Sequence, residues 1–236
     1  TLVVEGVCGV GKGLGYLVPM VDALREGRLK RVVVSTAGIA LQEQLLKKDL
    51  PLVCKIAGPV VFTVLKGKGN YNCERRAEDA WSDRTLLGPG AERSLTALEK
   101  WAESHETGDT STFPERLDPK IKGAVCGNND ECDIATCSKS ECFYGKARDA
   151  AEKASLIVVN HHLLVTDLAY RRVSPSTGKT TSILGDYNGL VVDEAHELAE
   201  VARTILGWTV SSGRFARAAH RLEKVCQDYA SAGRLR

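Results

Sequence analysis

No stretch of this chain approaches the roughly 20 consecutive apolar residues that a membrane-spanning helix needs. The short apolar run at its start lacks a basic leader and a small-residue cleavage site, so no secretory signal is expected there. Without an oxidising compartment, the eight cysteines are not expected to pair as disulfides. Excess charge is missing too: 32 Lys and Arg against 30 Asp and Glu leave a net +2. That balance gives no bulk attraction to nucleic acid, so DNA contact requires basic residues gathered on one face. Internal repeats and low-complexity tracts are absent. The 236 residues, 43% hydrophobic and 26% charged, fit one globular domain, or one domain carrying an insertion. A cytoplasmic protein without membrane attachment is the expectation.

Short β-branched apolar runs recur at Leu2–Val4, Arg31–Ser35, Val60–Leu65, Leu156–Val159 and Leu190–Val192. Such runs read as strands buried on both faces of a parallel sheet. Helix-like patterns separate them at Leu14–Glu26 and at Ile39–Lys48, the second expected to stop at Pro51. The alternation predicts an α/β fold. From Lys66 to Asp149 it breaks down into loops rich in Gly, Pro and Asp, with one helix expected at Ala91–His105. This stretch reads as an insertion, from which Ala147–Ala154 leads back into a strand.

Directly after the first apolar run comes Gly6-Val7-Cys8-Gly9-Val10-Gly11-Lys12, with a helix pattern behind it. Phosphate binding needs this order: glycines let the backbone wrap the phosphates, N–H groups point inward, and the helix N-terminus adds partial positive charge. Gly6, Gly9, Gly11, Lys12 and Gly13 are the candidate nucleotide contacts, with Lys12 reaching the β- and γ-phosphates. A glycine-rich turn alone also suits a purely structural role; the lysine argues for phosphate. Gly13 breaks the pattern, because a Ser or Thr hydroxyl belongs there as a Mg²⁺ ligand. The metal is therefore expected to be held less well, and Gly13→Ser or Gly13→Thr to raise turnover. The second motif is Val191-Val192-Asp193-Glu194-Ala195-His196, an apolar strand ending in two acids. Asp193 is placed to hold Mg²⁺ and Glu194 to orient and deprotonate an attacking water. Alone, such a pair also reads as a solvated strand end.

Four cysteines crowd together at Cys126, Cys132, Cys137 and Cys142, with Cys73 upstream, whereas Cys8, Cys54 and Cys226 are scattered. The scattered three read as small buried hydrophobes. The cluster points to metal ligation, and spacing alone leaves zinc and an iron–sulfur cluster equally open.

Asp193-Glu194-Ala195-His196 resembles the DEAH box of superfamily 2 helicases. Val33-Val34-Ser35-Thr36 with Leu41-Gln42-Glu43-Gln44-Leu45 is similar to the DNA-contacting motif Ia region of the DinG branch, as is Val158 to Leu164 to a further segment of it. Lys66-Gly67-Lys68-Gly69-Asn70-Tyr71-Asn72-Cys73 resembles that branch's lead-in to its first cluster cysteine. Cys142-Phe143-Tyr144 with Ala147-Arg148 resembles the exit, and Trp101 to Thr107-Gly108-Asp109 the connection between. The chain thus resembles the XPD/DinG-type iron–sulfur helicases over nearly its whole length.

The resemblance implies a RecA-like parallel sheet, the first motor domain, with an inserted cysteine-rich cluster domain. Residues 1–65 and 150–200 would form the motor domain, 66–149 the insertion, and 201–236 the start of a helical Arch domain. It implies ATP, Mg²⁺ and a [4Fe-4S] cluster on Cys73, Cys132, Cys137 and Cys142, leaving Cys126 surplus. It also implies 5′ to 3′ unwinding of single-stranded or forked DNA in DNA repair, by a monomer at the nucleoid. The later helicase motifs would follow Arg236, so the chain is expected to be a piece that does not translocate alone. Lys66, Lys68, Tyr71, Arg75 and Arg76 are the candidate DNA-facing groups, and His161 is placed near the coupling machinery by resemblance only. Two other readings stay open: a nucleotide binder without turnover, suggested by Gly13, and a non-enzymatic, metal-stapled DNA-binding module.

Overall fold

The structure, a computed structural model, describes residues 1–7, 10–128, 132, 142–173, 182–207, 219, 222, 223 and 226. Its centre is a four-stranded, all-parallel sheet of β1 (Val32–Thr36), β2 (Phe62–Val64), β3 (Leu156–Asn160) and β4 (Gly189–Val192). The strands lie in the order β2-β3-β1-β4, with Val34 of β1 level with Val158 of β3 and Val191 of β4. This is the expected α/β class, and an all-parallel sheet of this kind is consistent with a RecA-like fold.

Alternation along the strands builds two cores. Val32, Val34, Leu156 and Val158 face α1 (Lys12–Arg25) and α3 (Leu50–Ala57) through Leu17, Val21, Leu50 and Val53. Val33, Ile157 and Val159 face the other way, against Ala151 of α7 (Phe143–Lys153) and Leu163 and Leu164 of α8 (His161–Val173). Helices therefore cover both faces, which is why the central strands carry no polar alternation.

Two expectations are corrected here. Leu2, Val3 and Val4 are not a strand; they are 86%, 88% and 77% exposed. None of the three pairs with a strand of the described sheet, so their side chains stay in water. Pro51 does not stop a helix but starts one. α2 (Ile39–Gln44) passes into a π-helical turn, Leu45–Asp49, and Pro51 then sits in the first turn of α3, where its missing N–H costs nothing.

Between β2 and β3, α4 (Glu74–Ser82), α5 (Ala91–Ser104) and α6 (Pro119–Val125) gather around a third core of Ala80, Leu95, Leu98, Phe113, Ile121 and Val125. α7, ending at Lys153, leads back into β3 as expected of Ala147–Ala154. After β4 the chain turns into α9 (Leu198–Leu206); most of the expected Arch-domain start lies outside the described residues.

Candidate active site

The two sequence motifs meet at the carboxyl ends of the strands, where open parallel sheets hold ligands. Gly11, at φ 80°, turns the chain into α1, whose first residue is Lys12. A side chain at Gly6 would press on the Lys12 stem, with its Cβ 3.4 Å from Lys12 Cγ and Cδ. On the other side, the Asp193 N–H donates to the Ser35 carbonyl at 2.8 Å, holding the end of β4 against β1. Lys12 Nζ then lies 2.7 Å from Glu194 Oε1, across 182 positions of sequence. Gly9 lies outside the described residues.

Glu194 has φ 53°, the one positive φ of a non-glycine residue among the described residues. Backbone held in this sparsely populated region costs on the order of 1–3 kcal/mol and gathers at functional sites. The Lys12 hydrogen bond, then its charge, hold the Glu194 carboxyl below the usual carboxylate range. Asp193 is gripped separately: Tyr16 donates its hydroxyl to Oδ2 at 3.2 Å, and the Glu194 N–H donates to Oδ1 at 3.1 Å. Burial, then Asp193, push the Tyr16 hydroxyl well above its ordinary range. Tyr16 was missed in the sequence, yet it stands four residues after Lys12, on the same helix face. His161 is fully buried, with Nδ1 2.7 Å from Ser35 Oγ, and burial lowers its pKa. It joins β1 to the start of α8 behind the acids.

Of the candidate metal ligands, Cys73, Cys126, Cys132 and Cys142 are among the described residues. Cys73 immediately precedes α4, Cys142 immediately precedes α7, and the Cys73 N–H donates to the Val125 carbonyl at 2.9 Å. A Cβ on Gly127 would meet Cys132 Sγ at 3.3 Å, so glycine there lets the Cys132 thiol approach the backbone. Burial raises the Cys73 pKa, and the nearby Cys132 and Cys142 thiols raise it further. Cys126 is buried in the third core and donates to Thr110 Oγ1 at 3.8 Å. Cys137 lies outside the described residues. Among the described residues, no three His, Cys, Asp or Glu side chains stand close enough to hold one metal ion.

The basic candidates divide. Lys66 is fully buried, its Nζ 2.5 Å from both Glu43 Oε1 and Asp109 Oδ2 and 2.8 Å from Ser111 Oγ. Tyr71 is buried too, its hydroxyl accepting the Lys66 N–H at 3.1 Å. Neither faces a DNA strand; both hold the junction between β2 and the α4–α6 layer. Arg76 donates to the Gly123 carbonyl at 2.7 Å. Lys68 and Arg75 keep the reading open.

These features define a class: a parallel α/β protein whose helix-borne lysine meets a DEAH-type acid pair at the strand ends. No family model matches the chain. It is 33% identical over 247 residues to the ATP-dependent helicase DinG of Mycobacterium tuberculosis, covering 95% of this chain and 35% of that protein. It is also 33% identical over 216 residues to the ATP-dependent DNA helicase YoaA of Escherichia coli, covering 89% of the chain and 32% of the relative. With the ATP-dependent DNA helicase DinG of Escherichia coli it shares 31% over 230 residues, 87% of the chain and 30% of the relative. Over about nine-tenths of its length the chain is similar to the N-terminal part of DinG-type helicases, and it spans about a third of the length of these relatives. Among the described residues, no helix is long and apolar enough to cross a membrane.

Proposed function

We propose that this chain carries the nucleotide-hydrolysing part of a DinG-type, ATP-dependent DNA helicase. The observation that carries the reading is the 2.7 Å contact of Lys12 with Glu194, which joins the glycine turn to the acid pair. In this reading Gly6, Gly9, Gly11 and Gly13 let the backbone surround the phosphates of ATP. Lys12 leaves Glu194 to take the β- and γ-phosphates. Glu194, released, orients the attacking water and accepts its proton. Asp193, oriented by Tyr16, holds the cation. Held there, Mg²⁺ would supply positive charge against the charge that develops on the phosphates.

Cys73, Cys132, Cys137 and Cys142 are the proposed holders of a [4Fe-4S] cluster, with Cys126 serving the core. Single-stranded or forked DNA would pass near Lys68 and Arg75, on a monomeric enzyme acting on nucleoid DNA in the cytoplasm.

In the full-length protein, single-stranded DNA is expected to stimulate ATP hydrolysis, and Lys12→Ala to remove both hydrolysis and most nucleotide affinity. Nucleotide binding without any DNA-stimulated hydrolysis would leave the non-hydrolysing binder in its place. Anaerobically purified protein is expected to absorb visible light and to contain iron and sulfide. Cys73→Ser should lose most of both, whereas Cys126→Ala should keep them; zinc without iron would replace the cluster with a structural metal.

A further inference from the structure

The phosphate turn lacks the hydroxyl that normally follows its lysine, yet the space beside Gly13 is not empty of oxygen. A Cβ built on Gly13 would lie 3.2 Å from Asp49 Oδ2, 3.9 Å from Asp49 Cγ and 3.8 Å from Leu45 Cδ2. A threonine hydroxyl stands one bond beyond its Cβ, so the Asp49 carboxylate reaches the volume that hydroxyl would fill.

The chain bends its own helix to bring Asp49 there. Between α2 and α3, the π-helical turn Leu45–Asp49 changes the pitch and rotates the residues after it, a distortion frequent at functional sites. Leu45 is buried in the core beneath α1, which fixes the turn against the helix that carries Lys12. Gln44 Nε2 donates to the same Asp49 Oδ2 at 3.2 Å and steadies it. The ordinary work of an aspartate at this place would be to cap α3, but it makes no side-chain cap bond there. Its charge is instead felt by Tyr16, the residue that holds Asp193. Asp49 and Asp193, from different elements, therefore act on one tyrosine beside the phosphate turn.

We propose that Asp49 supplies the metal-facing oxygen that Gly13 lacks, an assignment that rests on the nucleotide-binding reading above. The carboxylate carries a full charge where the hydroxyl is neutral. With Mg²⁺ present it attracts the cation; without Mg²⁺ it repels the phosphates. Nucleotide affinity in this chain is therefore unusually dependent on Mg²⁺. A serine or threonine placed at position 13 alone meets this carboxylate, so the gain in turnover expected from the sequence requires Asp49 to be neutralised as well.

Calorimetric titration of ADP into the full-length protein, in MgCl₂ and in EDTA, tests this without relying on turnover. Mg²⁺ should strengthen parental binding about 10–100-fold, the usual weight of a group that holds or orients a metal. Asp49→Asn should lose most of that strengthening while binding ADP in EDTA as well as the parent or better. Gly13→Thr added to Asp49→Asn should recover it, which separates a metal role from a folding defect. An Asp49→Asn protein with the parental Mg²⁺ dependence overturns the assignment but leaves the nucleotide site standing. A parental protein that binds no ADP in either buffer overturns the nucleotide-binding reading itself.

Discussion

Glu194→Gln is expected to cut ATP turnover in the full-length, DNA-stimulated enzyme by about 10²–10⁴-fold, the usual weight of a positioned general base. The amide keeps the shape of the carboxylate and cannot accept the proton of the attacking water. The structure adds a second expectation that the sequence does not. Glu194 is the partner of the lysine that must reach the phosphates. Binding has to break that pair, so the glutamine variant should hold nucleotide somewhat more tightly than the parent. The Lys12 hydrogen bond holds the Glu194 carboxyl low, so the pair is present above the ordinary carboxylate range and disappears only as pH falls through the lowered value. At neutral pH the pair is therefore intact, and the affinity gain should persist there. Turnover and equilibrium nucleotide binding, measured on the same preparations, decide the matter. Parental turnover in the glutamine variant removes Glu194 as the base. Weakened binding with lost turnover means that the carboxylate had supported the fold of the turn instead.

Asp193→Asn should behave differently from its neighbour. Tyr16 and the Glu194 N–H fix the Asp193 carboxylate, and neither contact depends on Lys12. The asparagine should therefore weaken the Mg²⁺-dependent part of binding, which titration in MgCl₂ against EDTA reads directly.

The parts of this site that were legible in the sequence are those written in local chemistry. Strand runs at Arg31–Ser35 and Leu156–Val159 were visible because both faces of those strands are buried, so Val32–Val34 and Leu156–Val159 are unbroken apolar stretches. Lys12, Asp193 and Glu194 stood out because phosphate and metal chemistry fix their order along the chain. What could not be read depended on long-range placement. Lys66 looks like a solvated cation until Glu43, Asp109 and Ser111 are seen to surround it. Asp49 belongs to no motif in the sequence, and only the π turn brings it beside Gly13. Leu2–Val4 has the composition of a strand, but composition says nothing about whether an edge receives it.

The buried lysine should be the most sensitive stabilising residue away from the active site. Lys66→Ala is expected to cost about 3–5 kcal/mol, because removing one partner of a buried pair strands the other's charge. Against a typical total of about 5–15 kcal/mol, that loss threatens folding of the chain at 37 °C. The stranded group is mainly Asp109, whose side chain is 10% exposed; Glu43 retains Lys47 at 2.7 Å. Lys66→Arg should not rescue, since a planar fork does not fit three acceptors arranged around a compact ammonium. Lys66→Met combined with Asp109→Leu should recover most of the loss, because the orphaned charge is gone. It should stay about 1 kcal/mol short, for want of the bond from the Ser111 N–H to Asp109 Oδ1. Urea midpoints, compared at constant slope, give these differences. The node also has a pH signature. Burial pushes the Glu43 carboxyl up, but hydrogen bonds from Lys47 and Lys66 outweigh it and hold the group below its ordinary value. A lowered carboxylate stabilises above its unfolded pKa and loses that contribution as pH falls through the folded one. The parental midpoint should therefore drop on acidification below the ordinary carboxylate range, and the Lys66→Met, Asp109→Leu protein should drop less. Equal acid sensitivity in the two proteins, or a Lys66→Ala midpoint indistinguishable from the parent's, would show that the junction is held by its apolar packing and not by the buried charges.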